Sequence, residues 1–294
     1  MQFSAQEVKT LRLKTGAGVM DCKEALVAAD GDMEEATKWL RKKGLAKSAK
    51  KADRAVADGL VSVVVDGLKA AIVELNSETD FVARNTRFQE LARGITSLAI
   101  SSEGSVSSLL DASYPETGRS VSDQISEVVA VVGENIQLRR IACLSVENGA
   151  IGSYIHNAVS DGMGRVGVLV TLDAPEGNEE KLASFARQIA MHVSAHDPTP
   201  VCVKVEDIDQ KVLQREREVF TEQAALSGKP QEVVEKMVEG RLRKYCEEVT
   251  LLSQKFVFSP DITVGEFVKG VAEEIGAPIS IRAFVRYAVG ESLS

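Results

Sequence analysis

The stretch Glu74-Leu75-Asn76-Ser77-Glu78-Thr79-Asp80-Phe81-Val82-Ala83-Arg84-Asn85 passes from strand to helix with no spacer. Ala71, Val73 and Leu75 alternate with Ile72 and Glu74, which is the period of a strand. Thr79 offers a side-chain oxygen to the first free helical N–H groups, as an N-cap does. From Val82 the period turns helical, and Phe88, Leu91, Ala92, Ile95 and Leu98 share one stripe. Asp80 falls in the first turn, where the helix dipole favours negative charge. An acid and a bulky aromatic are thus side by side at a strand-to-helix corner. On periodicity alone Asp80 reads as a cap. Phe81, seven residues before Phe88 and on its stripe, then reads as core.

The strand before the corner has a partner. Leu60–Val65 and Lys69–Leu75 read as a hairpin, with Asp66-Gly67 as its two-residue turn. Residues 101–123 are rich in Ser and read as a loop with a short helix. Ile125–Val132 is a second helix. Asn135–Val146 is a third strand, with Ile136, Leu138, Ala142, Leu144 and Val146 on one alternating set.

The pattern then recurs. Ile151–His156 and Val166–Leu172 are paired strands, Asn178 opens an amphipathic helix, and a last strand spans Ile279–Val289. At the second corner stands Ala174-Pro175-Glu176-Gly177, so the fold of a half does not itself demand Thr-Asp-Phe. Two charged helical stretches, 206–226 and 231–254, interrupt this half, with Ser227-Gly228-Lys229-Pro230 turning between them. Val234, Val238, Leu242, Tyr245, Val249 and Leu252 mark the seam of an antiparallel coiled-coil hairpin.

Residues 4–44 read as three short helices. Ser4 with Glu7, Asp21 with Glu24 and Asp32 with Glu35 resemble capping boxes, and Gly16, Gly31 and Gly44 suit left-handed C-caps. Val8, Leu11, Leu26, Ala36, Trp39 and Leu40 would form a thin core. A basic run follows over 38–54, with Asp53 its one acid. Its one aromatic, Trp39, is assigned to that core, so the run reads as a basic helical linker, and an RNA-binding arm is the alternative.

Composition narrows the classes. The 294 residues can hold two or three domains, and 44% hydrophobic and 27% charged residues are ordinary for globular chains. A net charge of -8 argues against a surface that grips nucleic acid throughout. No apolar run has the length of a membrane span, and Met1-Gln2-Phe3-Ser4 begins no signal region, so a cytoplasmic protein is expected. Cys22, Cys143, Cys202 and Cys246 are widely spaced and read as free thiols.

Other motifs mislead. Gly162-Met163-Gly164-Arg165-Val166-Gly167 spells a dinucleotide fingerprint but precedes a strand, so it reads as a glycine-rich hairpin. His192 and His196 stand at metal-ligand spacing without a third ligand. There is no phosphate loop, nucleophile elbow or Cys-His motif, so neither an enzyme nor a cofactor or metal is expected.

Two stretches carry a family resemblance. Leu11-Arg12-Leu13-Lys14-Thr15-Gly16-Ala17-Gly18-Val19-Met20-Asp21-Cys22-Lys23-Glu24-Ala25-Leu26 resembles the first signature of bacterial elongation factor Ts and Glu74–Arg84 the second, in the expected order along the chain. The resemblance covers nearly the whole chain and implies an α+β fold. It would comprise a UBA-like three-helix domain and basic linker (1–54), core subdomains at 55–146 and 147–294, and a coiled-coil hairpin inserted at 205–255. Each core half would hold a three-stranded antiparallel sheet with helices.

The implied activity is guanine nucleotide exchange on elongation factor Tu, GDP-bound or nucleotide-free. Thr79, Asp80, Phe81 and Val82 would dislodge the Mg²⁺ of that partner. Arg12, Met20, Lys23, Lys51 and His156 match partner-contact positions. The hairpin would serve self-association or act as an extra arm. No membrane and no direct nucleic acid are implied. Some members carry a further helix after the last strand; here the chain stops at Gly290-Glu291-Ser292-Leu293-Ser294, so that contact is expected to be missing.

Overall fold

A computed structural model describes residues 3–102, 104–115, 117–226 and 230–292. Three helices open it: α1 (Ala5–Thr15), α2 (Val19–Ala28) and α3 (Met33–Ala49). They close over Leu11, Cys22, Ala25, Leu26 and Ala36, with Val8, Trp39 and Leu40 at the margin. Ser4 and Glu7 form the expected capping box, and Asp32 accepts from the N–H groups of Glu34 and Glu35. Asp21 does not start a helix, because α2 already begins at Val19 behind Gly18. Its carboxylate instead joins α2 to α3, accepting from Lys47 at 3.0 Å and pairing with Lys43 at 2.8 Å. Lys43 above all holds the Asp21 pKa below its ordinary value.

The first half of the core holds β1 (Asp58–Asp66), β2 (Lys69–Ser77), α4 (Asp80–Ala83), α5 (Thr86–Ala99), α6 (Val106–Asp111), α7 (Val121–Val132) and β3 (Ile136–Ser145). Asp66 pairs with Lys69, so the hairpin turns on Gly67 and Leu68, one residue later than the dipeptide signal suggests. The single helix expected from Val82 is two. Asn85 ends the first turn and caps α5, accepting from the Arg87 N–H at 2.9 Å. Nor does Gly44 cap α3, which continues to Ala49. Gly44 is the point where α3 lies on α7, and a Cβ there would stand 3.1 Å from that of Ala130. Glycine at that position reports close helix approach, not termination.

The alternating set expected in β3 is split. Glu74 pairs with Arg140 and Leu75 with Leu138, which leaves Arg139 as the extra residue of a β-bulge. The phase flips there. Ile136, Leu138 and Ile141 face α5 and α7, while Ala142, Leu144 and Val146 face the other layer.

The second half holds β4 (Gly149–Ser160), β5 (Met163–Asp173), α8 (Glu179–Ala195), α9 (Gln210–Ala225), α10 (Gln231–Val249), β6 (Lys255–Phe256), β7 (Ser259–Thr263), α11 (Val264–Ile275) and β8 (Ser280–Ala288). The glycine string 162–167 forms the β4–β5 turn and enters β5. α9 and α10 lie antiparallel, with Phe220 and Ala224 against Val234 and Val238. Leu252, expected on this seam, lies past α10 in the core of the half. Pro230 precedes α10 as its N-cap instead of opening its first turn. Ser227-Gly228-Lys229 and the terminal Leu293-Ser294 fall outside the described residues.

Each half is a three-stranded antiparallel sheet, β1-β2-β3 or β4-β5-β8, with β2 or β5 in the middle. Val61 and Ser62 pair with Gly164 and Met163, which joins the halves into one six-stranded sheet. Helices α5 and α7 cover the first half, and α8 and α11 the second. A third apolar layer, including Val61, Ile72, Ile151 and Leu169, fills the space between the halves. The halves also share a local oddity. Gly59 and Gly149 both take φ +126°, and a Cβ at either would collide with the carbonyl of Leu75 or Leu172.

One charge cluster crosses from half to half. Glu74 is wholly buried and accepts from Arg140 Nε at 2.6 Å, Arg139 Nη1 at 2.9 Å, Asn76 Nδ2 at 3.0 Å and the Gly290 N–H at 2.9 Å. Arg140 in turn lies over the Tyr287 ring and pairs with Glu291. Burial raises the Glu74 pKa, but these four donors outweigh it and hold the carboxyl below its ordinary range. No helix among the described residues is long and apolar enough to cross a membrane.

Candidate functional site

The strand-to-helix corner is where the structure departs most from its periodicity. α4 is one turn long, and Asn85 restarts the helix on a new phase. Phe88 is fully buried and Phe81 is 80% exposed. The reading of Phe81 as core is therefore overturned. Asp80 beside it is exposed too, whereas Val82 is 4% exposed and packs with Phe88 in the first half's core. Of the quartet Thr79 to Val82, then, only Asp80 and Phe81 present their side chains outward.

Thr79 does not cap the turn. Its hydroxyl donates to Glu134 Oε1 at 2.7 Å, and its backbone N–H donates to Glu134 Oε2 at 2.9 Å. The next pair is reciprocal: the Asn135 N–H donates to Glu78 Oε1 at 2.7 Å, which lowers the Glu78 pKa. The buried Asn135 side chain donates to the carbonyls of Arg54 (2.9 Å) and Ala52 (3.2 Å). Lys51 Nζ donates to the Gly133 carbonyl. Residues 133–135 thus brace the corner against both the strand end and the linker from α3. Ser77 adds a bond from its hydroxyl to the Thr79 carbonyl at 2.9 Å.

The remaining predicted residues are spread over the surface. Arg12, Met20 and Lys23 are exposed at the α1–α2 end, where Leu13 and Val19 are exposed as well. Lys51 lies behind the corner, in its bracing. His156 is exposed on β4, 3.3 Å from the Tyr154 hydroxyl through Nδ1. The structure gathers none of these five into one cleft. Much of the basic run is engaged within the chain: Lys38 with Glu35, Arg41 with Asp123, Lys43 and Lys47 with Asp21, and Arg54 with Glu78.

His192 is a buried structural residue. Nε2 lies 3.0 Å from Gln254 Oε1, and Nδ1 accepts from the Val257 N–H at 3.3 Å. Burial chiefly pushes its pKa down to about 4. Among the described residues no group of three or more His, Cys, Asp or Glu side chains is placed to hold a metal ion. Sequence reasoning missed Glu134 and Asn135. They follow Gly133 as an unremarkable polar pair, and their partners lie 55 to 83 residues away in the chain.

The corner is thus a braced turn that presents an apolar ring and a carboxylate to solvent, on a protein whose other predicted site residues are spread over its surface. The comparisons say which such protein this resembles. The family described as Elongation factor TS matches residues 78–291. The chain is 52% identical over 292 residues to elongation factor Ts of Rhizobium etli (strain CIAT 652), covering 99% of this chain and 94% of that one. The corresponding protein of Agrobacterium fabrum is 51% identical over the same shares. That of Bartonella henselae is 49% identical over 293 residues. The chain belongs to the elongation factor Ts family.

Proposed function

We propose that this chain is a guanine nucleotide exchange factor of translation elongation, acting in the cytoplasm on elongation factor Tu carrying GDP. The observation that carries this reading is Phe81, 80% exposed on a corner whose neighbouring apolar residues Val82 and Ala83 are buried. An exposed aromatic ring on a braced turn is a preformed wedge. Its burial in a partner contributes ~2 kcal/mol. Asp80 enters with it and disturbs the groups and waters that position Mg²⁺ on the partner. Displacing a divalent cation from beside a diphosphate removes a large attraction, so GDP leaves and GTP can enter. Val82 contributes from behind, by anchoring the turn.

One wedge is not an affinity, so other surfaces share the docking. We assign this to the UBA-like three-helix domain with its linker (1–54), through Arg12, Met20 and Lys23, and to His156 in the second half. Core subdomains 55–146 and 147–294 hold the two grips together. The inserted coiled-coil hairpin (205–255) is a further arm or a self-association element. The partner takes up no covalent bond from this chain, and the chain does not shift the overall exchange equilibrium. Linkage requires that whatever it does to GDP affinity, GDP does to its own affinity for the partner.

The test is the release rate of a fluorescent GDP from elongation factor Tu, with and without this chain. A large acceleration is expected, reduced by Asp80→Ala. A rate independent of the added chain overturns the reading.

A further inference from the structure

We propose that Glu134 is a positioning residue for exchange, the group that fixes the direction in which Asp80 and Phe81 point. The inference rests on the reading of that corner as the exchange wedge.

The argument starts from what cannot hold the corner. A one-turn helix has too few internal hydrogen bonds to be stable alone, and α4 spans only Asp80–Ala83. Phe81 makes little contact with its own protein, so its direction is set by the backbone beneath it. Downstream, that backbone is held by burial of Val82 and Ala83 and by the bond from Gln89 Nε2 to the Ala83 carbonyl at 2.9 Å. Upstream it is held at Thr79. There both donors of one residue, N–H and O–H, go to the two oxygens of one carboxylate, at 2.9 and 2.7 Å. Hydrogen bonds to an ionised acceptor are shorter and stronger than neutral ones. Two of them on a single residue fix its orientation as well as its place.

Thr79 gives up a more local role for this contact. At an N-cap position its hydroxyl oxygen would ordinarily accept from the turn's own N–H groups, yet no such bond is present. The hydroxyl is turned 55 residues away in sequence, to Glu134. Glu134 in turn rides on a fixed segment. Gly133 before it takes the Lys51 ammonium on its carbonyl, and Asn135 after it is buried and bonded to Glu78, Ala52 and Arg54. The clasp is therefore reciprocal: Glu134 takes Thr79 while Glu78 takes Asn135. The pose of the wedge is tied through this clasp to the linker from the three-helix unit.

The experiment follows fluorescent GDP release from elongation factor Tu over a range of concentrations of the full chain. The variants are Glu134→Ala, Thr79→Val, the double variant, and Glu134→Gln. Misplacing a reacting group by about 1 Å costs up to ~100-fold in rate, so the saturating release rate of Glu134→Ala should fall at least ~10-fold. Its half-saturating concentration should stay within about threefold of the parent, because the other docking surfaces are untouched. Thr79→Val should fall in the same direction, and the double variant no further than the worse single. Glu134→Gln keeps a carbonyl acceptor and should recover part of the rate. Melting curves of each variant check that the fold is kept. Should Glu134→Ala fail to fold, Thr79→Val decides alone. Parental saturating rates in these variants, or losses that multiply in the double, overturn the proposal. Phe81→Ala separates the two ideas. If it collapses exchange while Glu134→Ala does not, only the positioning role fails. If Phe81→Ala exchanges normally, the wedge itself fails.

Discussion

Phe81 and Phe88 stand seven residues apart and at opposite limits of exposure, 80% and 0%. The break at Asn85 rotates the second helix away from the phase of the first, so one ring faces solvent and the other the core. Their alanine variants should therefore diverge. Phe88→Ala should cost ~3–5 kcal/mol in a urea titration, as a large core deletion does. Phe81→Ala should cost less than ~0.5 kcal/mol while the acceleration of GDP release is lost. A strongly destabilised Phe81→Ala would contradict the assignment.

Glu74 is wholly buried among three donors of its own half, Asn76, Arg139 and Arg140, and one from the other, the Gly290 N–H. Glu74→Ala removes the buried carboxylate that Arg139 and Arg140 share and should cost ~3–5 kcal/mol in chemical denaturation at neutral pH. The folded-state pKa lies below the ordinary 4.5, so this contribution is present above that value and fades as pH falls below it. A loss under ~1 kcal/mol would show that the cluster is not the tie we describe.

His192 titrates in the opposite part of the range. Folded, its pKa is about 4 against an ordinary 6.5, because the neutral ring is buried. Between those values the unfolded chain binds a proton that the folded chain does not. Stability is therefore unaffected by this group above pH 6.5 and falls as pH drops toward 4, by about 3 kcal/mol at 1.36 kcal/mol per unit. His192→Gln should be less stable at pH 7 yet lose less between pH 6.5 and 4.5. Equal slopes for the two proteins would reject the assignment.

Gly44 sits against Ala130 where α3 meets α7. Gly44→Leu should cost ~1–3 kcal/mol by overpacking, although leucine is the better helix former. Limited proteolysis should then cut faster within residues 50–54. A variant as stable and resistant as the parent would mean the helices have room to spare.

The periodicity located the hairpin strands and the buried stripe of α5, because both rest on long, regular alternation. It failed where a single residue changes the phase. Arg139 inserts into β3 and sends Ala142 and Leu144 to the opposite face from Ile136 and Leu138. Asn85 does the same between two helices whose spacing happens to suit one. Glycine is ambiguous for a physical reason, since lacking a Cβ serves both a helix end and a tight crossing; Gly44 is the second kind. The candidate corner was legible as a motif. Its support was not, because Glu134 meets Thr79 only once β3 has folded back beside β2. Nothing local in the sequence marks a partner that distant.

Gly59 and Gly149, bent alike and crowded by the same kind of carbonyl, mark equivalent points in the two halves. The molecule is in effect one design used twice. At the place where the first copy carries its protruding tool, the second has Ala174-Pro175-Glu176-Gly177 and loses nothing in its architecture. A duplicated unit can keep one copy as ballast and sharpen the other. On the function proposed above, changes at the tip of the tool are felt in what the chain does long before they are felt in whether it folds.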